Sequence, residues 1–289
     1  MLRISNFRIN DYNTFGEYRE GKVYPVSKKF RLEHQSIRSV IEKNAVDDLR
    51  SSIKKDEQGY LVESVHMLPP ICPSSRIICV GLNYPKKYVL ASSLGEHAEM
   101  ILFSKGPDCF VGSDCPIIVP KGHAGQSLDY EGELGLIIGK PGKNIRPEDA
   151  HKHIFGFTIV NDGSVRDWQK HSIFAGKNFE HISSCGPCVL VNQKELQQET
   201  FLLTTKLNNQ LVQKTKIGKM IFKSAEIIAY ISTIFTLKPG DIIATGSPEG
   251  SGMSHDPHQF LQNGDFLEIE ISNIGVLRNN ILTHESCDL

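Results

Sequence analysis

Two apolar runs that meet carboxylates at their ends restrict the fold more than any other feature of this chain. The first, Leu134-Gly135-Leu136-Ile137-Ile138-Gly139, follows Asp129-Tyr130-Glu131-Gly132-Glu133. The second, Ile154-Phe155-Gly156-Phe157-Thr158-Ile159-Val160, runs into Asn161-Asp162. Both have the length of a strand and read as buried. Glu131 and Glu133 are two apart, and on a strand residues i and i+2 share a face. Taken alone, such a pair is a solvated edge. At the mouth of a buried strand, two carboxylates repel unless a cation sits between them. Asp162, at the end of the second run, supplies a third. An oxygen-only set suits a hard divalent ion, Mg²⁺ or else Mn²⁺ or Ca²⁺, and not zinc.

With 289 residues the chain is long enough for one large domain, or for a large one with a small companion. A formal net charge of -1 gives no electrostatic case for nucleic acid or for an anionic membrane. No apolar run approaches a membrane span. Met1 to Arg8 has no secretory apolar region, so a cytoplasmic location is expected, with a mitochondrial one as the alternative. Seven cysteines have no framework spacing. Cys72, Cys79, Cys109 and Cys115 lie in or beside apolar runs and read as reduced thiols. Cys185-Gly186-Pro187-Cys188 has redox-pair spacing, but it leads into Val189-Leu190-Val191 rather than opening a helix. It reads as a structural loop entering a strand.

Residues 1–70 read as a small N-terminal α/β segment, with a strand at Leu2–Arg8 and short helices at Ser36–Ile41 and Asp47–Ile53. Leu68-Pro69-Pro70-Ile71-Cys72-Pro73 is a proline-rich joint. Residues 71–289 then read as a mostly β domain. Strands are expected near 76–81, 115–119, 133–139, 154–161, 187–191, 201–207, 240–245 and 265–272, with a hairpin turn at Asn208-Asn209. Helices are expected from Arg146, over Val165–His171 and over Ser224–Ile234. The strand spacing resembles a barrel or roll more than a βαβ sheet.

The motifs in this order resemble the fumarylacetoacetate hydrolase superfamily, in its small branch of acylpyruvate hydrolases, oxaloacetate decarboxylases and oxaloacetate tautomerases. The matching residues are Val80-Gly81-Leu82-Asn83-Tyr84, Phe103-Ser104-Lys105, Asp129 to Leu134 and Ile138-Gly139-Lys140. They continue through Asn161-Asp162, Arg166-Asp167-Trp168-Gln169, Gly176-Lys177-Asn178-Phe179, Leu237-Lys238-Pro239-Gly240-Asp241 and Thr245-Gly246-Ser247-Pro248-Glu249-Gly250. The resemblance implies a β-roll core, a divalent metal, a homodimer, and a small 2-oxo acid or 1,3-dicarbonyl substrate. It implies Glu131, Glu133 and Asp162 as metal ligands and Lys177, Gln169 and Arg166 as the catalytic set. Tyr84, Thr245 and Ser247 would hold the substrate. Arg166 and Gln169, three apart, would share a helix face. The metal would polarise a carbonyl and stabilise an enolate, and a lysine nearby would neutralise it or move a proton.

One segment departs from that family pattern. Hydrolytic members carry a histidine three residues after the tyrosine of Gly-x-Asn-Tyr, and a glutamate three further on, a pair that prepares water. Here those positions hold Lys87 and Leu90. A protonated lysine is a poor base, and leucine orients nothing by hydrogen bonding. Glu96 and His97 follow within a few residues. Two activities are therefore expected. One is C–C hydrolysis or decarboxylation of an acylpyruvate- or oxaloacetate-type acid. The other is keto–enol tautomerisation, which needs no activated water. A non-catalytic metal-binding role is the third reading.

Overall fold

A computed structural model describes residues 1–53, 58–72, 76–85, 99–192 and 196–284. The segment holding Lys87, Leu90, Glu96 and His97 lies outside the described residues. The two carboxylate-bearing runs form the strands Gly132–Ile138 and Ile154–Asn161, which pair antiparallel with Gly132 opposite Asn161 and Glu133 opposite Val160. They lie in the middle of a twelve-stranded sheet. On one side follow Ile242–Ala244, Ile77–Gly81 and Ile101–Lys105. On the other follow Ser183–Val191 and then the N-terminal strands Arg3–Ile9, Tyr12–Arg19 and Lys22–Pro25. The strands before the proline-rich joint thus continue the sheet built by those after it. A second sheet of five strands runs Gln210–Lys216, Leu202–Leu207, Phe266–Ile271, Gly275–Thr283 and Ile117–Val119.

Strand alternation explains the layering. Leu134, Leu136, Phe157 and Ile159 point to one face and pack with Leu203, Ile269, Leu277 and Ile281 of the second sheet. Ile137, Val160 and Val189 point to the other face. There they meet Phe30, Ile37, Val40 and Leu49 from the short helices Lys28–Glu33, Ile37–Glu42 and Val46–Ser52. Both faces of the central strands are covered, which is why they read as continuous apolar runs. The architecture is mostly β with some α, a roll of two sheets with a small α/β N-terminal segment, and the strand order follows an open path rather than a closed barrel. Among the described residues no helix is long and apolar enough to cross a membrane.

The helix Ser224–Ile234 begins and ends where its spacing predicts, and Glu226 accepts the Lys223 backbone N–H at 2.7 Å to start it. Asn208 and Asn209 form the hairpin turn with φ of 51° and 65°, joining Leu207 to Gln210. The stretch after Arg146 is a 3₁₀ helix, Pro147–His153. One expectation is corrected. Cys185-Gly186-Pro187-Cys188 is not a loop but the middle of the strand Ser183–Val191, because Ser184 and Cys185 pair with Asn161 and Val160. Both cysteines are buried and unbridged.

Candidate active site

The antiparallel register brings the start of one central strand beside the end of its neighbour. Glu131 N–H donates to Asn161 Oδ1 at 3.1 Å, and Asp162 N–H donates to the Glu131 carbonyl at 2.9 Å. Glu131, Glu133 and Asp162 are buried, and each offers a carboxylate oxygen within 4.8 Å of the others. The residue between the glutamates must be small. A Cβ on Gly132 would meet Thr205 Oγ1 at 2.5 Å.

Cations crowd this triad. Lys177 Nζ donates to Glu131 Oε2 and, at 2.6 Å, to Asp162 Oδ2. Lys105 Nζ donates to Asp162 Oδ1 at 2.8 Å and to the Gly163 carbonyl at 2.7 Å. Arg166 lies on the short helix Arg166–Gln169. Its Nη2 reaches Glu131 Oε1 at 2.9 Å, its Nε reaches Asp129 Oδ2 at 2.8 Å, and its Nη1 reaches Gln169 Oε1 at 3.1 Å. The shared helix face expected for Arg166 and Gln169 is therefore observed. Burial works against both cations, but the neighbouring carboxylates outweigh it. The ammonium of Lys177 and the guanidinium of Arg166 are each held above their usual pKa.

Glu133 is the exception. It accepts the Gly246 N–H at 2.8 Å, from a glycine at φ 98° on the turn after Ile242–Ala244. It has no ion pair among the described residues. Burial, and then the charges of Asp162 and Glu131, push its carboxyl well above the ordinary range. Three buried carboxylates with oxygens this close form a donor set that fits a hard divalent ion.

The triad forms one wall of a cavity of about 230 Å³ with Arg166, Gln169, Lys177 and Ser247. Val80, Leu82, Ile101, Phe103 and Ile173 supply its apolar lining. Leu82 holds φ 53°, an uncommon conformation for leucine, in this lining. Not every expected residue opens onto the cavity. Thr245 is buried and its hydroxyl donates to the Leu134 carbonyl at 2.9 Å. Tyr84 is buried beside the cavity-lining Val80–Leu82 stretch, and its hydroxyl finds no partner among the described residues. Burial and then the charge of Glu133 raise its pKa.

Three participants escaped the sequence reading as site residues. Lys105 ends the strand Ile101–Lys105, in period with the cavity-lining Phe103 and Ile101, but does not itself line the cavity. Asp129 is two residues before Glu131, continuing the same period. It accepts N–H groups from Tyr130, Gly252 and Met253 as well as Arg166. Ser164 donates to Glu131 Oε2 at 3.3 Å. The signal available for Lys105 and Asp129 was their alternation with residues already singled out.

Comparison with known proteins gives the family of the chain. Residues 76–282 match the family described as fumarylacetoacetate (FAA) hydrolase C-terminal. The chain is 40% identical over 237 residues to the oxaloacetate tautomerase YisK of Bacillus subtilis (strain 168), covering 78% of this chain and 77% of that one. It is 32% identical over 243 residues to the mitochondrial oxaloacetate tautomerase fahd2 of Xenopus laevis, covering 83% and 75%. Among solved structures, the fumarylacetoacetate hydrolase of Exiguobacterium antarcticum superposes with a TM-score of 0.81 at 30% identity, covering 98% of this chain and all of that one. The chain belongs to the fumarylacetoacetate hydrolase family and is an enzyme of that family.

Proposed function

We propose that this protein is a divalent-metal-dependent enzyme that interconverts the keto and enol forms of a small 2-oxo acid, of which oxaloacetate is the simplest test case. The observation that carries the reading is the make-up of the cavity wall. Three carboxylates, an ammonium, a guanidinium and an amide line one cavity together with five large apolar side chains, and no histidine lines it among the described residues. Enolisation draws a proton from carbon next to a carbonyl, and the charge that develops falls on the carbonyl oxygen. An ion held by Glu131, Glu133 and Asp162 would supply the Lewis acidity that this oxygen needs. Magnesium is the ion we favour for an all-oxygen set, and manganese is its convenient stand-in.

The chain's own residues supply the rest. Lys177 enters the cycle protonated, since its carboxylate neighbours hold its pKa up. In the enol-to-keto direction the enol hydroxyl gives its proton to water, Lys177 delivers one to the carbon, and the neutral amine is then reprotonated from water; the reverse direction runs the same transfers backward from the neutral amine. Between turnovers Glu131 and Asp162 favour its return to the ammonium form. Gln169 is fixed by Arg166 and offers its amide nitrogen to the substrate carboxylate, and Ser247, which lines the same cavity, adds its hydroxyl. The apolar wall of Val80, Leu82, Ile101, Phe103 and Ile173 keeps bulk water from the enolate.

Enolate stabilisation is common to tautomerisation, decarboxylation and C–C hydrolysis. Tautomerisation is favoured because hydrolysis needs a base that prepares water. The carboxylates on the wall are either bound by cations or placed to hold the ion, and the hydrolytic positions carry Lys87 and Leu90. The names of the two relatives above support the same choice. A homodimer is the assembly that the family resemblance implies. The test is proton exchange at C3 of oxaloacetate in D₂O, followed by NMR with Mg²⁺ or with chelator. The expected result is ion-dependent exchange with the carbon skeleton intact. Release of pyruvate as fast as the enol disappears would overturn it.

A further inference from the structure

Asp162 is held on both oxygens by different lysines, and only one of them faces the cavity. Lys177 binds Oδ2 at 2.6 Å and lines the cavity. Lys105 binds Oδ1 at 2.8 Å, its side chain is fully buried, and it is not among the residues that line the cavity. Its second bond, to the Gly163 carbonyl at 2.7 Å, keeps it on the turn that carries Asp162. The ring of Phe110 lies 5.7 Å from the ammonium. Burying an ammonium here is costly, and orienting Asp162 does not require it. Lys177 already holds the other oxygen, and the Asp162 N–H is tied to the Glu131 carbonyl at 2.9 Å. What Lys105 adds is charge.

The count of formal charges gives that addition a consequence. Asp129, Glu131, Glu133 and Asp162 are four buried carboxylates, and Lys105, Arg166 and Lys177 are three cations bonded to them. One negative charge is in excess. A divalent ion turns that excess into one positive charge, which draws in an anion. Without Lys105, the same ion would leave the centre neutral.

We propose that Lys105 is a positioning residue that sets the charge of the metal centre. It weakens the grip of the carboxylates on the ion, and it leaves the loaded site positive toward an anionic 2-oxo acid. The inference rests on the metal reading given above and goes beyond it by assigning Lys105. It predicts two shifts of opposite sign. Removing the ammonium takes a like charge away from the ion, so the ion binds more tightly. The loaded site then loses its positive excess, so an anion binds more weakly. A residue that only packs would move neither constant, or would weaken both.

The experiment uses the full chain, purified with Mn²⁺ and then stripped. Titration calorimetry with Mn²⁺ is run on wild type, Lys105→Met and Lys105→Gln, followed by titration of oxalate into each Mn²⁺-loaded protein. For both neutral variants the Mn²⁺ Kd should fall about tenfold or more and the oxalate Kd should rise about tenfold or more, the scale on which one adjacent charge acts. Lys105→Gln keeps a donor for Asp162 and carries the same test if Lys105→Met does not fold. A Mn²⁺ Kd that stays the same or rises overturns the role of Lys105. Wild type that takes up no Mn²⁺ overturns the metal reading, and this inference with it.

Discussion

Glu133→Gln should make the metal-free protein more stable while removing its response to metal. Glu133 is 2% exposed, is bonded to the Gly246 N–H, and has no ion pair of its own among the described residues. Two other carboxylates lie within 4.8 Å of it. At that separation and an effective dielectric constant of about 20, each like-charge pair costs about 3 kcal/mol. Lys177 offsets roughly one such pair, and partial protonation of Glu133 relieves part of the other. Glutamine keeps an acceptor for Gly246 and removes the charge. A gain of about 1–3 kcal/mol is expected at neutral pH, a rise in Tm of roughly 2–5 °C.

The pH dependence of that gain has a definite sign. The Glu133 carboxyl is raised above its ordinary value of 4.5 by burial and then by Asp162 and Glu131. Below the ordinary value both folded and unfolded chains carry it neutral, and the variant has no advantage. As pH climbs past that value the unfolded chain ionises first, so wild-type stability falls until the raised folded pKa is passed. The variant's advantage opens over the same window. The assay is thermal melting in chelator and in saturating Mn²⁺ across that range. Wild type should gain stability with Mn²⁺, and Glu133→Gln should lose most of that gain. A variant that melts below wild type in chelator at neutral pH would refute the reasoning, as would one that keeps the full Mn²⁺ response.

Other substitutions follow from the same contacts. Lys177→Met should lower kcat for enol–keto exchange by about 10²–10⁴, the scale of a lost proton-transfer group, while Mn²⁺ uptake persists by calorimetry. Arg166→Met leaves Asp129 and Glu131 buried without their guanidinium. Stability should drop by about 3–5 kcal/mol in urea unfolding, and a loss below about 1 kcal/mol would mean that the backbone N–H groups on Asp129 suffice. Burial pushes the thiols of Cys185 and Cys188 up to about 12. In native protein at mildly alkaline pH, mass spectrometry after brief alkylation should find exposed Cys72 modified and both of these untouched, and all three modified after unfolding.

How much of this was legible in the sequence depends on burial. The central strands Gly132–Ile138 and Ile154–Asn161 are covered on both faces, so their residues are apolar without interruption and their limits are plain. Gln210–Lys216 and Tyr12–Arg19 went unread because their burial is partial and their residues are largely polar. Gly275–Thr283 hides a buried Asn279, whose amide donates to the Gly112 and Cys115 carbonyls. Glu131, Glu133, Asp162, Arg166, Gln169 and Lys177 stand out by motif and period, and all six line the same cavity. Thr245 stands out with them for its position in the Thr245-Gly246-Ser247 turn. Sequence could not show that its hydroxyl turns inward to Leu134 while the Gly246 N–H reaches Glu133. Lys105 lies in the motif Phe103-Ser104-Lys105, which carries no sign of its role. A lysine after Ile101 and Phe103 reads as the solvated end of a strand, and only the fold places Asp162 over it.

The most direct test of the account follows enol oxaloacetate by its absorbance, with Mg²⁺ and with chelator, while pyruvate is assayed in the same reaction. Rapid ion-dependent loss of enol absorbance is expected, with no pyruvate above the uncatalysed level. Loss that is indifferent to the ion, or that is matched by pyruvate, would contradict it.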